Sequence, residues 1–288
     1  MKWYVLGGGS MGSLAAHYLQ QAGWPTLAAN RGQQTRRLTW PNGTSTQLCL
    51  PADDQETITH LLLATKGPST RAALAPLLPR LAPSGVLVRL QNGMGTLAKA
   101  SLPAAWQRLE AITTNAAWRN QQHITVVAEN NTVMGTDGPP PCWFATLKRH
   151  WPGLSWQADI TFHQWLKLTV NAVINPLTAL YDCPNGALLS QPTAHAHMQQ
   201  LAAECDAVAQ HLFPHWPMDT YTRAAAVAQA TANNCSSMRA DFLAQQETEV
   251  AYITGFLLTT AAQHQLALPT HQALYEQVLA ASVHFHKA

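Results

Sequence analysis

Apolar residues follow two different spacings along this chain, and the change falls near residue 160. Before it, short β-type runs alternate with helical segments, the clearest runs being KWYVLG, PTLAAN, HLLLAT and GVLVRL. After it such runs vanish, and stretches rich in Ala, Leu and Gln have helical spacing. Strands that alternate with helices are typical of a parallel sheet with crossover helices, so the pattern predicts an α/β part followed by an all-α part.

A glycine-rich turn follows the first apolar run. Gly7, Gly9 and Gly12 have the spacing G-x-G-x-x-G, and a helical pattern begins directly behind them. In dinucleotide-binding folds the first glycine makes a tight turn, the second lets the backbone approach a pyrophosphate, and the third lets helix and strand pack closely. We therefore predict a Rossmann-type dinucleotide-binding domain over residues 1–160 and a helical domain over residues 161–288. A glycine turn without a ligand is the alternative.

Composition narrows the class of protein further. The chain has 288 residues, of which 47% are hydrophobic and 11% charged, so it can bury a sizeable core. Its formal charge of +2 gives no reason to expect nucleic acid or a membrane surface as a partner. No apolar run approaches the roughly 20 residues of a membrane span, and the N-terminus does not resemble a signal peptide. Five scattered cysteines without a C-x-x-C pair predict reduced thiols in a cytoplasmic protein.

The end of the second predicted strand indicates which dinucleotide binds. NAD enzymes usually carry Asp or Glu there to accept hydrogen bonds from the ribose hydroxyls. This chain has the neutral Asn30 and the cationic Arg31, with Arg36 and Arg37 close behind. A guanidinium suits a phosphate, so the sequence predicts NADPH rather than NADH. The alternative is that Arg31 is a solvated surface charge.

Two more candidates follow the next two apolar runs. Lys66 ends the third run and Asn92 ends the fourth, positions where the carboxyl ends of parallel strands face a ligand crevice. Asn92 precedes Gly93, and Asn-Gly is also ordinary turn chemistry. The sequence therefore leaves open whether either residue contacts a cofactor.

The segment WLKLTVNAVINPLTALYDCPNG is apolar enough for a buried helix, yet three hydrogen-bonding residues recur in it at intervals of four. Lys167, Asn171 and Asn175 would climb about 6 Å per step with little rotation and so form one polar stripe. A solvated helix face would carry several charges, whereas this stripe has one charge and two amides. The stripe suits a cleft that holds a small polar ligand. We also expect Pro176 to disturb the helix after Asn175.

Further candidates lie in the segment NNCSSMRADFLAQQETEVAYITGFLLTTAAQH. Glu249 shares a helical stripe with Ile253 and Phe256, and a carboxylate in such surroundings needs a partner or a ligand. Ser236 and Ser237 suit a helix cap and equally suit a pair of donors near a cleft.

These blocks together resemble the ketopantoate reductase (2-dehydropantoate 2-reductase) family over essentially the whole chain. The resemblance rests on GGGSMG, QNGMGT, WLKLTVNAVINPLTALYDCPNG, SSMRAD and ETEVAYITGFLL, in that order. It implies hydride transfer from NADPH to the ketone of 2-dehydropantoate, which gives pantoate for pantothenate and coenzyme A. A small keto acid would then be the partner, whereas the oligomeric state is not predicted.

The resemblance also implies a role for individual residues. Lys167 corresponds to a catalytic lysine that hydrogen-bonds the ketone and donates the proton. The residues implied to bind substrate are Asn92, Asn171, Asn175, Asn185 and Ser237. Those implied or predicted to bind the cofactor are Gly7, Gly8, Gly9, Ser10, Met11, Gly12, Arg31, Lys66, Asn92, Ala117 and Glu249.

The chain departs from the resemblance near two of these positions. The Lys66-Gly67 pair is shifted from the expected spacing, and Asn115 stands where a histidine is expected, which weakens the case for Ala117 as a backbone contact. No metal is predicted, because His195/His197 and His284/His286 are isolated H-x-H pairs without an ordered set of ligands. The alternatives to ketopantoate reduction are reduction of a different 2-keto acid with NADP and a non-catalytic NADP-binding sensor.

Overall fold

The structure is a computed structural model that describes residues 1–97 and 102–282. It divides into two compact units, one made of Met1–Gln91 and Leu97–Thr161 and the other of Asn92–Thr96 and Phe162–Ala288. The short segment Asn92–Thr96 thus packs with the second unit although its sequence neighbours on both sides belong to the first.

The first unit contains every strand of the described chain. The strands are β1 (Trp3–Leu6), β2 (Thr26–Ala28), β3 (Gln34–Thr39), β4 (Ser45–Leu50), β5 (Ile58–Leu63), β6 (Leu81–Arg89), β7 (Ala105–Thr113), β8 (Ala116–Asn120), β9 (His123–Ala128), β10 (Thr132–Gly135) and β11 (Leu154–Gln157). Helices α1 (Ser10–Gln21), α2 (Thr70–Leu74) and α3 (Phe144–His150) and the short 3₁₀ segments Gly67–Ser69 and Ala75–Arg80 connect them.

Seven strands form the main sheet in the order β11-β10-β7-β6-β5-β1-β2. All neighbours in it are parallel except β7 and β10. Strand β5 lies inside the sheet, and Leu61, Leu62 and Leu63 are all at most 1% exposed. Consecutive residues of a strand point to opposite faces, so burial of all three means that both faces of the sheet are covered there. The predicted fold class, a Rossmann-type α/β part followed by an all-α part, is confirmed.

A second sheet of four strands, in the order β4-β3-β9-β8, is not anticipated by the sequence analysis. Leu48 and Leu50 of β4 alternate with exposed residues and are each 1% exposed, as is typical of a strand with one buried face. Leu38 of β3 and Ile124 of β9, both fully buried, pair across the same sheet.

The regular secondary structure described in the second unit is all helical. Its helices are α4 (Ile160–Leu180), α5 (Ala187–Ser190), α6 (Pro192–Leu212), α7 (Thr220–Ala230), α8 (Ser237–Leu243), α9 (Val250–Gln263) and α10 (Pro269–Ser282). No helix among residues 1–97 and 102–282 is long and apolar enough to cross a membrane.

We expected Pro176 to disturb the helix after Asn175, but α4 continues through it to Leu180. Proline removes one backbone N–H from the helix. Ala172, Val173 and Leu177 on either side of it are fully buried, so the packing of this stretch outweighs the loss. The hydroxyl of Thr178 also donates to the carbonyl of Ile174 at 2.9 Å.

Candidate active site

The glycine turn, residues Gly7–Gly12, runs from the end of β1 into the first turn of α1 in the first unit. Gly7 has φ +115°, and a side chain there would place Cβ 2.4 Å from the carbonyl carbon of Ala64. At Gly12 a Cβ would lie 1.9 Å from the carbonyl oxygen of Gly7. Both positions therefore require glycine for close packing of strand and helix.

Gly9 differs from its two neighbours in the motif. A Cβ built on it would meet no atom within 4 Å, and its backbone is extended with φ −74°. It occupies the N-cap of α1, where it has no side chain to bond the first amides of the helix, those of Ser10, Met11 and Gly12. Open space before uncapped helix amides is the arrangement that binds phosphate in dinucleotide folds. The residues of the turn therefore fit a dinucleotide.

The loop after β2 holds the residues that we predicted to select the cofactor. Asn30 has φ +53°, and its backbone N–H donates to the carboxylate of Asp53 at 2.6 Å. Asp53 in turn accepts two hydrogen bonds from Arg80, both at 2.8 Å. Burial alone would raise the pKa of Asp53, but the bonds from Arg80 and from backbone amides outweigh it and lower the pKa. This fixed loop presents the side chain of Arg31 exposed to solvent.

The remaining predicted cofactor residues of the first unit lie on separate elements. Lys66 is exposed at the start of the 3₁₀ segment after β5, and Ala117 lies in β8, paired with Val126. Asn115 is buried and its side-chain oxygen accepts from the amide of Asn130 at 2.6 Å. Asn115, at the position where the resemblance predicts a histidine, therefore links the residues just before β8 to those just before β10.

In the second unit three side chains from distant parts of the sequence meet. Lys167 Nζ, from α4, donates to Asn92 Oδ1 at 2.9 Å. Asn92 Nδ2 donates to the carboxylate of Glu249 at 3.4 Å. We call these three residues the lysine cluster. An ammonium can only donate and an ionised carboxylate only accept, so the two ends of the cluster fix which way the amide of Asn92 points.

Glu249 lies one residue before α9 rather than within it, and it is 8% exposed. It stands at the N-cap position, but its side chain makes no capping bond to the helix. Its carboxylate instead contacts Asn92. The segment Asn92–Thr96, which begins three residues after the end of β6, is thereby bonded to the start of α9, and Met94 N–H donates to Tyr252 O at 2.8 Å as well.

The two asparagines of the predicted stripe lie further along α4. Asn171 is half-buried and Asn175 is 7% exposed. Neither side-chain amide has a hydrogen-bond partner among the described residues. Amides that are withdrawn from water without protein partners are suited to a polar ligand.

The sequence analysis gave Ser236 and Ser237 the same two possible roles, and the structure places them in different surroundings. Ser236 is buried and caps α8, since its hydroxyl accepts from the amide of Arg239 at 3.1 Å and bonds Thr178 at 2.7 Å. Ser237 is exposed. Asn185 donates through Nδ2 to Thr231 at 2.9 Å, while its buried Oδ1 makes no hydrogen bond. Helix capping therefore accounts for Ser236 and leaves Ser237 and the Asn185 oxygen for a ligand.

The histidine pairs do not form a cluster within the described residues. His195 bonds the hydroxyl of Tyr221 at 2.6 Å, and His197 bonds that of Tyr181 at 2.8 Å. His284 and His286 lie outside the described residues.

Comparison with known proteins gives matches over most of the chain. Family models described as ketopantoate reductase PanE/ApbA and its C-terminal part match residues 3–138 and 159–282. The 2-dehydropantoate 2-reductase of Yersinia pestis is 34% identical over 292 residues, which cover 96% of this chain and 94% of the relative. That of Vibrio cholerae is 31% identical and covers 96% of this chain and 97% of the relative.

A solved structure shares the fold at lower identity. A PanE/ApbA family ketopantoate reductase from Ralstonia eutropha JMP134 has a TM-score of 0.87 at 20% identity and covers 99% of both chains. At that identity the likeness concerns the fold alone.

Proposed function

Because the chain belongs to the ketopantoate reductase family, we propose that it reduces 2-dehydropantoate to pantoate with NADPH, in the biosynthesis of pantothenate and coenzyme A. The observation that carries the proposal is the lysine cluster, in which the ammonium of Lys167 bonds the amide of Asn92 and that amide bonds the buried carboxylate of Glu249. A protein that only senses the dinucleotide needs the glycine turn but has no use for a positioned proton donor.

NADPH, when bound, supplies the hydride that reduces the ketone carbon. Hydride addition to the carbon leaves a negative charge on the former ketone oxygen, which becomes an alkoxide. Lys167 stabilises this charge as an ammonium and donates its proton to the oxygen, giving the alcohol and a neutral amine that solvent reprotonates. The hydrogen bond to Asn92 holds Nζ in place, so little reorientation is required during the reaction.

Asn171, Asn175, Asn185 and Ser237 are proposed to bind the keto acid. 2-Dehydropantoate carries a carboxylate, a ketone and a hydroxyl, which require several donors and at least one acceptor. The unpartnered amides of Asn171 and Asn175 and the unpartnered Oδ1 of Asn185 can supply both. Asn92 and Glu249 are additionally proposed as contacts of the cofactor.

A panel of 2-keto acids tests the proposal. Purified protein is mixed with NADPH or NADH and with 2-dehydropantoate or 2-keto acids bearing smaller, straight or aromatic side chains. We expect the highest kcat/KM for 2-dehydropantoate with NADPH, measured as loss of reduced cofactor, and pantoate as the product by mass spectrometry. A higher kcat/KM for another keto acid would reassign the substrate. Binding of NADPH without turnover of any keto acid would favour the sensor.

A further inference from the structure

Arg36 and Arg119 of the smaller sheet lie on the same face as its buried apolar residues. Residues that pair across strands share a face, and Arg36 pairs with Leu48 while Arg119 pairs with Ile124. Leu48 is 1% exposed and Ile124 is fully buried. Arg36 is half-buried and Arg119 is exposed on this face, whereas Arg37 is exposed on the opposite face of the strand that holds Arg36.

Both arginines lie near Gly8 of the glycine turn, Arg119 by a direct bond and Arg36 through Gln34. Arg119 Nη1 donates to the carbonyl oxygen of Gly8 at 2.7 Å. Arg36 Nη2 donates to Gln34 Oε1 at 3.2 Å, and that same oxygen lies 2.5 Å from where a Cβ on Gly8 would be. Burial, and secondarily the charge of Arg119, lower the pKa of Arg36, so the two cations are near enough to repel each other.

Nothing among the described residues neutralises these two charges. Arg80, Arg89, Arg223 and Arg239 each pair with a carboxylate, whereas neither Arg36 nor Arg119 has a carboxylate partner. The Nε of Arg36 is buried and makes no hydrogen bond. Two neighbouring positive charges and a buried N–H without an acceptor destabilise the folded protein unless an anion binds to them.

We propose that Arg36 and Arg119, the arginine pair, bind the 2′-phosphate of NADPH and so share with Arg31 the selection of NADPH over NADH. This rests on the proposed function, since it assigns residues to the same cofactor. β3 is the first strand after Asn30-Arg31, the position at which dinucleotide folds recognise the 2′ substituent of the ribose. The pyrophosphate suits a different side of the turn, where Gly9 leaves open space before α1.

Ligands that differ by a single phosphate test the assignment. Affinities of 2′,5′-ADP, 5′-ADP, NADPH and NADH are measured by calorimetry for the wild type and for Arg36→Gln, Arg119→Gln and the double variant. Each single variant should weaken 2′,5′-ADP and NADPH roughly tenfold, and the double variant roughly a hundredfold, because each loses one charge-assisted contact. Affinities for 5′-ADP and NADH should change less than about twofold.

Arg37→Gln is the matched control, since it removes the same charge from the next residue of β3 but from the exposed face. It should alter 2′,5′-ADP affinity by less than about threefold, the size of a surface charge effect. Melting temperatures of all variants are measured in parallel, because Arg119 also bonds the backbone of Gly8. Arg119→Lys keeps the charge and should restore part of the lost affinity.

Three results would overturn the assignment. Equal losses for 5′-ADP and 2′,5′-ADP would place the pair at the pyrophosphate instead. Unchanged affinities in all variants, with a wild type that binds 2′,5′-ADP, would make the pair structural while leaving the proposed function intact. A wild type that neither binds 2′,5′-ADP nor oxidises NADPH with any keto acid would reject the proposed function as well.

Discussion

The glycine turn of the first unit and the lysine cluster of the second use the chain in different ways. In the turn the backbone is the functional group, and Gly7 and Gly12 are needed because a Cβ has no room. In the cluster three side chains bond one another, and they come from positions 92, 167 and 249. The turn is formed by consecutive residues, and its close packing excludes larger side chains at Gly7 and Gly12. The cluster is formed by residues distant in sequence, and it depends on which atoms donate and accept hydrogen bonds. Substitutions of these glycines should therefore mainly change stability, whereas substitutions in the cluster should mainly change catalysis.

Gly12→Ala should have the largest effect of all. Its Cβ would lie 1.9 Å from the Gly7 oxygen, so strand and helix must separate, at a cost of about 3 kcal/mol or more. Gly9→Ala meets no atom within 4 Å and should leave the melting temperature nearly unchanged while weakening NADPH binding, about tenfold or more. Thermal melts and NADPH titration of both variants measure this. Full NADPH affinity in Gly9→Ala would show that no ligand approaches the turn there.

Lys167→Ala should cost the most activity without a loss of fold. Removing the proton donor should lower kcat by roughly 10²–10⁴, the usual range for general acid catalysis. The control is Lys148→Ala, which removes an exposed lysine from α3. Steady-state kinetics are paired with NADPH titration, which should give wild-type affinity for both variants. A near-normal kcat in Lys167→Ala would reject the mechanism.

Glu249→Gln should have a smaller effect, since the side chain keeps its size but no longer fixes the amide of Asn92. The loss of one charged hydrogen bond predicts a fall in kcat/KM of about 10- to 100-fold. The matched control, Glu247→Gln, changes an exposed glutamate two residues away and should behave as wild type. If Glu249→Gln lowers the melting temperature and the folded fraction keeps wild-type kinetics, the carboxylate stabilises the fold and does not position the amide of Asn92.

The smallest effect concerns the half-buried carboxylate of Glu204, which contrasts with the buried Glu249. Glu204 accepts from the backbone amides of Thr270 and His271 at 2.7 and 2.9 Å and so caps the start of α10. Burial would raise its pKa, but the bonds from His271 and these amides outweigh it and lower the pKa to about 2.

Since the pKa of Glu204 is below its ordinary value of 4.5, the bond stabilises the fold above about pH 4.5 and is lost as pH falls toward 2. We expect Glu204→Gln to lose about 1–2 kcal/mol near neutral pH, a value discounted for partial exposure, and to lose less stability than wild type on acidification. Denaturant melts between pH 7 and about 3 measure this. Parallel pH curves for the two proteins would exclude the capping role. Activity should be unaffected.

The difference between the two sites also explains what could be predicted. The family and the fold class are confirmed, because the glycine spacing and the change from strands to helices are local patterns. The roles of Lys167, Asn171, Asn175 and Glu249 remain predictions. The continuation of α4 through Pro176 was not predictable, because burial of its neighbours decides it.

The smaller sheet was missed for a similar reason. Its strands are short and polar on one face, and its two local pairs, β3–β4 and β8–β9, join only through the distant pairing of β3 with β9, so the burial of Leu48 and Ile124 appears only in the fold. Arg36 and Arg37 are neighbours of the same type in sequence, and only the strand's alternation assigns them to opposite faces. Likewise, either Ser236 or Ser237 could have capped α8.

The segment Asn92–Thr96 limits how this protein can be divided or recombined. A polypeptide that began at residue 162 would contain Lys167 and Glu249 but would lack the amide between them and the Met94–Tyr252 backbone bond. Exchanging the helical part between two relatives at that boundary would bring together an asparagine from one parent and its partners from the other. A working chimera must therefore carry residues 92–96 together with the helices that they contact.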